Sequence, residues 1–322
     1  MMNALVIFFR FIFRHKFKII LTFFLSLFFF VFLFPLSDLN DYISAQVSKY
    51  TGNTIFLQFD KLSLQPLNAA LNFDKVYVEA PAVSALTAEE LLISPSLPAL
   101  LARQPGGTLT AKGFLNGELQ ISLVPGPQSA SGAARSKINL TASQISLKSV
   151  REVAGMSLPI KGELNFTGQA LADMALAEQP ELDLTLLINR FELPASSMSL
   201  QDFGLINLPE IKLSRVELKG RLAGGKFQIE NGKLGAEKDD FFGDIKGDMN
   251  ISFQNMGGQV VPIFGAYDIS LDLRASPAFQ EKAKFFLSFL DGYRSESATG
   301  THYKFKIQAA SQGMPPQFAP LR

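Results

Sequence analysis

Residues 108–123 read TLTAKGFLNGELQISL. Thr108–Phe114 and Glu118–Leu123 flank Leu115-Asn116-Gly117, and the flanks alternate apolar and polar residues. Alternation with period two marks a half-buried strand, and Asn-Gly between two such segments is a strong hairpin signal, because both residues accept positive φ. In the second arm Leu119, Ile121 and Leu123 face one way, with Glu118, Gln120 and Ser122 on the other side. The same texture recurs to either side. Ile55, Leu57 and Phe59 share one parity; Leu71 and Phe73, then Val76 and Val78, change parity at Asp74-Lys75, which predicts a bulge. Further strands are expected at Thr87–Ile93, Ile138–Ile145, Ile160–Thr167, Glu181–Arg190, Ile211–Leu218, Lys226–Asn231, Gly235–Phe241, Phe242–Phe253 and His302–Ala309. Leu182, Leu184 and Leu186 form the apolar side of one of them, and Ile269, Leu271 and Leu273 that of another after Tyr267. Short helices are expected at Ser37–Tyr50, Ala99–Arg103 and Leu147–Ala154, and a longer one after the cap Ser276 and Pro277 with the stripe Phe279, Ala283, Phe286 and Leu290. Val124–Ser136, Leu171–Pro180 and Ala195–Leu208 read as loops, the last as loop or short helix, and the Pro-rich tail 311–322 as disordered. A phrase of the form apolar–x–apolar–Gly returns in GELQISLVPG, KGELNFTG, RVELKG and NGKLG without an exact period. The fold class is therefore mainly β, antiparallel, and a long meander or layered sheet over residues 54–310 rather than a closed sandwich.

One stretch breaks the pattern. Ile19–Phe34, IILTFFLSLFFFVFLF, holds no charge, no Gly and no Pro. A bilayer core of ~30 Å asks for roughly 17–25 apolar residues, and Ile19–Leu36 meets the lower end. Ile19, Phe24, Leu27, Phe30 and Phe34 are its candidate membrane-facing residues. Residues 1–18 form a flank whose charges, Arg10, Arg14, Lys16 and Lys18, are all positive, and Asp38 is the first acidic residue. Cations beside a span stay in the cytoplasm, so the expectation is a single-pass inner-membrane protein, N-terminus inside and bulk in the periplasm. A cleaved signal peptide would have a shorter apolar run and a small-x-small cleavage site; here the run ends FLFPL. Residues 37–53 read as a juxtamembrane helix and linker.

The totals restrict the chemistry. Of 30 Lys+Arg and 29 Asp+Glu, the four flank cations removed leave 26 against 29, a balance that excludes a nucleic-acid binder. With no cysteine and only His15 and His302, thiol catalysis, disulfides and Cys-ligated metals are excluded. Asp239, Asp240, Asp244 and Asp248 do not follow Ca²⁺-loop spacing. Asp268 and Asp272 share a strand face, where alternation alone puts polar residues. No catalytic, cofactor or metal site is expected. An amphipathic sheet must still bury its apolar side: either it closes on its own core, or it leaves a groove for lipid or a partner's strand. The face in question carries Leu119, Ile121, Leu123, Leu182, Leu184, Leu186, Ile269, Leu271 and Leu273, and both outcomes stay open.

Longer blocks carry a resemblance. FPLSDLNDYISAQVSKYTG, FLQFDKLSLQP, the SPSL-x-x-LL-x-x-x-PGG block at 94–107, VELKGRLAGGKFQIENGKLGA and GDIKGDMNIS together resemble the type II secretion system protein N (GspN) family over about residues 17–310. The apolar strands ending in Gly also resemble the AsmA-like periplasmic β proteins. What the resemblance implies is a non-enzymatic, inner-membrane-anchored component of the type II secretion system with a large, AsmA-like twisted periplasmic β-sheet domain. Its implied partners are the inner membrane and other secretion components. The AsmA-like character adds an alternative, a lipid-binding or lipid-transfer protein with phospholipid in an apolar groove between the membranes.

Overall fold

The computed structural model describes residues 15–33, 39–65, 68–80, 83–128, 132, 134–173, 176, 178–200, 204–256, 259–297, 300–311 and 314–321. In chain order its elements are α1 (Lys16–Leu33), α2 (Asn40–Tyr50), β1 (Phe56–Gln58), β2 (Lys61–Gln65), β3 (Ala70–Ala80), β4 (Val83–Pro95), α3 (Leu97–Leu101), β5 (Gly107–Phe114), β6 (Gly117–Gln128), β7 (Ala134–Ser146), α4 (Leu147–Val153), β8 (Lys161–Asp173), β9 (Glu181–Leu193), β10 (Ser196–Leu200), β11 (Gly204–Leu208), β12 (Ile211–Ala223), β13 (Lys226–Leu234), β14 (Phe241–Met256), β15 (Gln259–Ala275), α5 (Pro277–Lys282), α6 (Lys284–Ser288), β16 (Arg294–Ser297), β17 (Gly300–Ala309) and β18 (Gln317–Pro320).

Sixteen strands form one sheet in the order β1-β3-β4-β5-β6-β7-β8-β9-β12-β13-β14-β15-β17-β16, with β2 also on β3 and β18 also on β17. Every pairing in it is antiparallel, so the chain is a long meander in which each strand turns back beside the last. Hairpin β10–β11 stands apart as a two-stranded sheet. The bulge expected at Asp74-Lys75 is not there: Lys75 takes φ +51°, but β3 keeps a single register with β4 from Leu71 to Val78, and the register shift falls between Val78 and Ala80.

The 108–123 hairpin forms with its turn one residue earlier than expected. Phe114 pairs with Gly117, leaving Leu115 and Asn116 as the two turn residues at φ +49° and +63°. Gly117 is needed for space instead: a Cβ there would lie 2.4 Å from the carbonyl oxygen of Ser143 on β7. Four other expectations are corrected by the pairing of backbone groups between strands. Val124–Ser136 is not a free loop, because β6 runs on to Gln128 and pairs across to Ala134–Lys137. Ser196–Leu200 and Gly204–Leu208 are strands rather than loop or helix. Gly235–Asp240 is the β13–β14 connection, while β13 continues through Asn231-Gly232 at a bulge to Leu234. Gln317–Pro320, within the tail expected to be disordered, pairs with Phe305–Gln308 of β17. The helix after Ser276 is split at Ala283 into α5 and α6. Phe279, Ala283 and Leu287, all buried, recur every four residues, a stripe that drifts 40° per step on a straight helix; the break turns both halves back onto the sheet.

The closed cores sit at the two ends of the sheet. At one end Phe59, Leu62, Phe73, Val76, Ala88 and Ala111 are buried together, with Leu39 and Ile43 from α2 and its N-cap packed against them, and the Phe59 and Phe73 rings meet edge-on at 4.9 Å. At the other, Leu273, Ala275, Tyr303 and Phe305 are covered by Phe279, Ala283 and Leu287; Phe241 stacks on Phe279 at 5.0 Å. Ser276 caps α5 by accepting from the Phe279 N–H at 3.1 Å, as its sequence position predicts.

Ile19, Phe24, Leu27 and Phe30 lie in α1; Phe34 lies outside the described residues. Among the described residues no helix is long and apolar enough to cross a membrane. After Lys16 and Lys18 the uncharged part of α1, Ile19–Leu33, is about 22 Å long at 1.5 Å per residue.

Candidate functional site: the apolar face of the sheet

Register makes the separate apolar stripes one surface. Leu119 pairs with Ala142, and the row continues through Phe166, Leu186, Leu218, Gly232 and Ile245 to Leu271 and Phe305. The next row runs Ile121, Leu140, Gly168, Leu184, Gly220, Ile229, Gly247, Ile269, and the third Leu123, Ile138, Ala170, Leu182, Leu222, Phe227, Met249, Tyr267. The nine residues expected to share an apolar face therefore do share one. They divide by burial. Leu273 is 7% exposed in the C-terminal core, with Leu271 packed beside it, and Leu119 packs against the N-terminal core. Ile121, Leu123, Leu182, Leu184, Leu186 and Ile269 are only half-buried.

Two features keep this middle region shallow. First, glycines replace side chains in the second row, and aromatic rings lean into the gaps: a Cβ on Gly220 would meet the Phe227 ring at 2.3 Å, and one on Gly168 the Phe166 ring at 2.9 Å. In KGELNFTG and RVELKG the closing glycine of the apolar–x–apolar–Gly phrase thus makes room for an aromatic ring, Phe166 beside Gly168 and Phe227 beside Gly220. Second, the principal helix contacts lie elsewhere, α2 on β1 and α4 on β4, β7 and β8. The seven-residue α4 touches both β4 and β8, four places apart in the sheet.

The opposite face is polar and ion-paired. Lys112 reaches Glu90 at 2.7 Å, Lys219 reaches Glu230 at 2.9 Å, and Lys226 reaches Asp248 at 3.1 Å. Such exposed pairs contribute about 0–1 kcal/mol each and keep this side in water. Of the two aspartates that share a face of β15, Asp272 lies 3.2 Å from both His302 Nδ1 and Lys304 Nζ, and Asp268 lies 3.2 Å from Lys306, so each carboxylate is held by side chains of the neighbouring strand β17. The acidic cluster is dispersed. Asp239 Oδ2 accepts from the Ser214 N–H and hydroxyl at 2.8 Å and the Ala236 N–H at 2.9 Å. Burial pushes its carboxyl up, and these donors more than reverse that, leaving it below the usual carboxylate range. Asp240 accepts from the Ser276 hydroxyl at 2.9 Å. A cleft of about 460 Å³ on this side is lined by Arg215, Glu217, Lys233, Glu237, Asp244 and Arg274 among others, cations and carboxylates in equal number. Among the described residues no group of three or more His, Asp or Glu could hold a metal ion.

The parity of the strands that carry the nine residues was readable in the sequence. The rows across strands were not, because they depend on register, and neither was the role of the glycines. Comparison with family models, curated proteins and solved structures gave no match for the chain.

Proposed function

We propose that this chain is a non-enzymatic, inner-membrane-anchored periplasmic component of the type II secretion system, and that its working surface is the apolar face of the sheet. The sequence blocks quoted above support the assignment to that system. The anchor is supported by α1, whose Ile20, Leu21, Phe23, Phe24 and Leu25 spread over more than half of the helix circumference and are 45–64% exposed; a helix with so wide an apolar surface belongs in protein or in lipid. In the sequence the uncharged run continues through Phe34, Pro35 and Leu36. The observation that carries the mode of action is the continuous apolar face, half-exposed between two closed cores. The same observation favours a second reading, in which the face holds phospholipid acyl chains and the protein binds or transfers lipid between inner and outer membranes.

A deletion strain separates the two. Loss of exoprotein release with normal lipid asymmetry in the outer membrane supports the secretion reading; normal release with failed asymmetry overturns it. Phospholipid co-purifying with the full chain, and displaced by Leu184→Asp, supports acyl chains on the face. A reporter fused after residue 322 is expected to be active only in the periplasm, and cytoplasmic activity would refute the orientation.

A further inference from the structure

Strands β14 and β15 outrun their neighbours. On one side β13 begins with Lys226 opposite Asn250, and on the other β17 ends with Ala309 opposite Tyr267. Beyond that level Ile251–Met256 and Gln259–Phe264 pair only with each other, a blade of six residue pairs, about 20 Å long. It projects from the end of the sheet away from α2, which packs on β1 beside the Tyr77–Glu79 end of β3.

Its composition differs from the rest of the chain. Between Asp248 and Asp268 there are 19 residues, 249–267, and none carries a charge. Charge stops where the neighbouring strands stop: Lys226 with Asp248 at 3.1 Å and Lys306 with Asp268 at 3.2 Å form a collar at the base. Above the collar the apolar face of the sheet continues through Ile251, Phe253, Val260 and Phe264, which register places on the same side. Val260 is 54% and Phe264 45% exposed.

The edges of the blade show what it is not built for. On the β14 edge the Ile251 N–H donates to the Gly225 carbonyl at 2.9 Å. The Phe253 N–H donates to Gln179 Oε1 at 2.7 Å, and its carbonyl accepts from Gln179 Nε2 at 3.1 Å. That edge is closed at Ile251 and Phe253. Because Ile251 and Phe253 turn their backbone groups outward, their partners Phe264 and Pro262 turn theirs outward on the β15 edge. Pro262 has no N–H, so an added strand would lose a ladder bond in mid-edge. A partner strand is therefore disfavoured on both edges, while an uncharged blade with exposed apolar side chains suits a medium that asks for no charge.

We propose that the β14–β15 blade lays its apolar face on a lipid bilayer at the headgroup–acyl boundary, where water still reaches the unpaired β15 edge, giving the protein a lipid contact at the end of the sheet away from α2. This goes beyond the reading above and does not depend on which form of it holds. Because no charge takes part, binding is the same for phosphatidylcholine and anionic vesicles and is insensitive to salt.

The chain has no cysteine, so Val260→Cys gives a single site for an environment-sensitive fluorophore. The full chain, held through its N-terminal segment in lipid nanodiscs, is mixed with phosphatidylcholine vesicles whose acyl chains carry a quencher. A blue shift and quenching at position 260, unchanged between 50 and 500 mM salt (roughly a threefold change in screening length), with no change for a label at Thr185→Cys on the polar face, is the expected result. Phe264→Asp should weaken vesicle capture at least tenfold. No quenching at 260, equal quenching at 185, or capture unaffected by Phe264→Asp would each overturn the proposal, and none of these outcomes bears on the deletion phenotype or on lipid carried by the middle of the sheet.

Discussion

Leu273 and Leu184 lie on the same apolar face, and truncating each to alanine should have very different costs. Leu273 is 7% exposed and enclosed by Phe279, Tyr303 and Phe305. Leu273→Ala removes three carbons at about 0.8 kcal/mol each and leaves a cavity that α5 and β17 cannot fully close, so about 3–4 kcal/mol is expected. Leu184 is half-buried, and its partners across both neighbouring strands are glycines, Gly168 and Gly220. Few side-chain atoms lose a contact there and water fills the space, so Leu184→Ala should cost about 1 kcal/mol or less. Urea unfolding of the full chain in detergent, followed by far-UV circular dichroism with a common m-value, measures both. If Leu184→Ala costs as much as Leu273→Ala, the middle of the face is a packed core and the open-face argument is wrong. The comparison is internal, so the unfolded-state reference common to both variants drops out.

Three further outcomes are expected. Asp239→Asn should destabilise by about 1–2 kcal/mol at neutral pH, because a charge-assisted acceptor of three donors becomes a neutral one. Since the folded carboxyl is held below its ordinary value, its contribution is complete above about pH 4 and is lost as pH falls through the depressed folded value; urea midpoints of wild type and variant should converge at low pH, and a constant gap would refute the role. Gly117→Ala puts a methyl 2.4 Å from the Ser143 carbonyl oxygen, and pushing β6 from β7 should cost about 1–3 kcal/mol, whereas a glycine needed only for turn conformation would show this cost at 115–116. Gln179→Ala removes both bonds to Phe253, so exchange of the Phe253 amide proton should speed up about tenfold for each ~1.4 kcal/mol lost, with little change in the global midpoint.

The sequence carries period two strongly because each strand of this sheet has one wet and one apolar side, and that is why Glu181–Arg190 and Glu118–Leu123 were legible as strands with the right residues facing together. Polar composition misled at Val124–Ser136 and at the tail, where backbone pairing to a neighbour decides the conformation and side chains matter little. The hairpin turn slipped by one residue because Gly117 serves two demands that a local rule cannot separate, turn chemistry and the approach of β7. Register is non-local, so the union of three stripes into one face, the division of that face between two cores and an open middle, and the blade beyond the collar at Asp248 and Asp268 had no local signal apart from the missing charge between them.

The distribution of burial implies a conflict between stability and use. A single-layer sheet fixes its register by closing cores at its ends, where α2 and α5–α6 cover it, and gains little from the middle. Filling the glycine notches would change that. Replacing Gly168 by a β-branched residue adds apolar surface and strand propensity, and the Phe166 ring would have to leave its place over the backbone, 2.9 Å from the new Cβ. If the ring can rotate away, the variant becomes more stable and the face more convex, and an acyl chain or partner loses the shallow surface it would lie on. Glycine stands along the second row at a cost of about 1 kcal/mol per site in strand stability; the rings beside Gly168 and Gly220, and the Asp268 carbonyl oxygen 2.2 Å from a Cβ on Gly247, require it there, and the shallow surface that results is the one a ligand on the middle of the face would use.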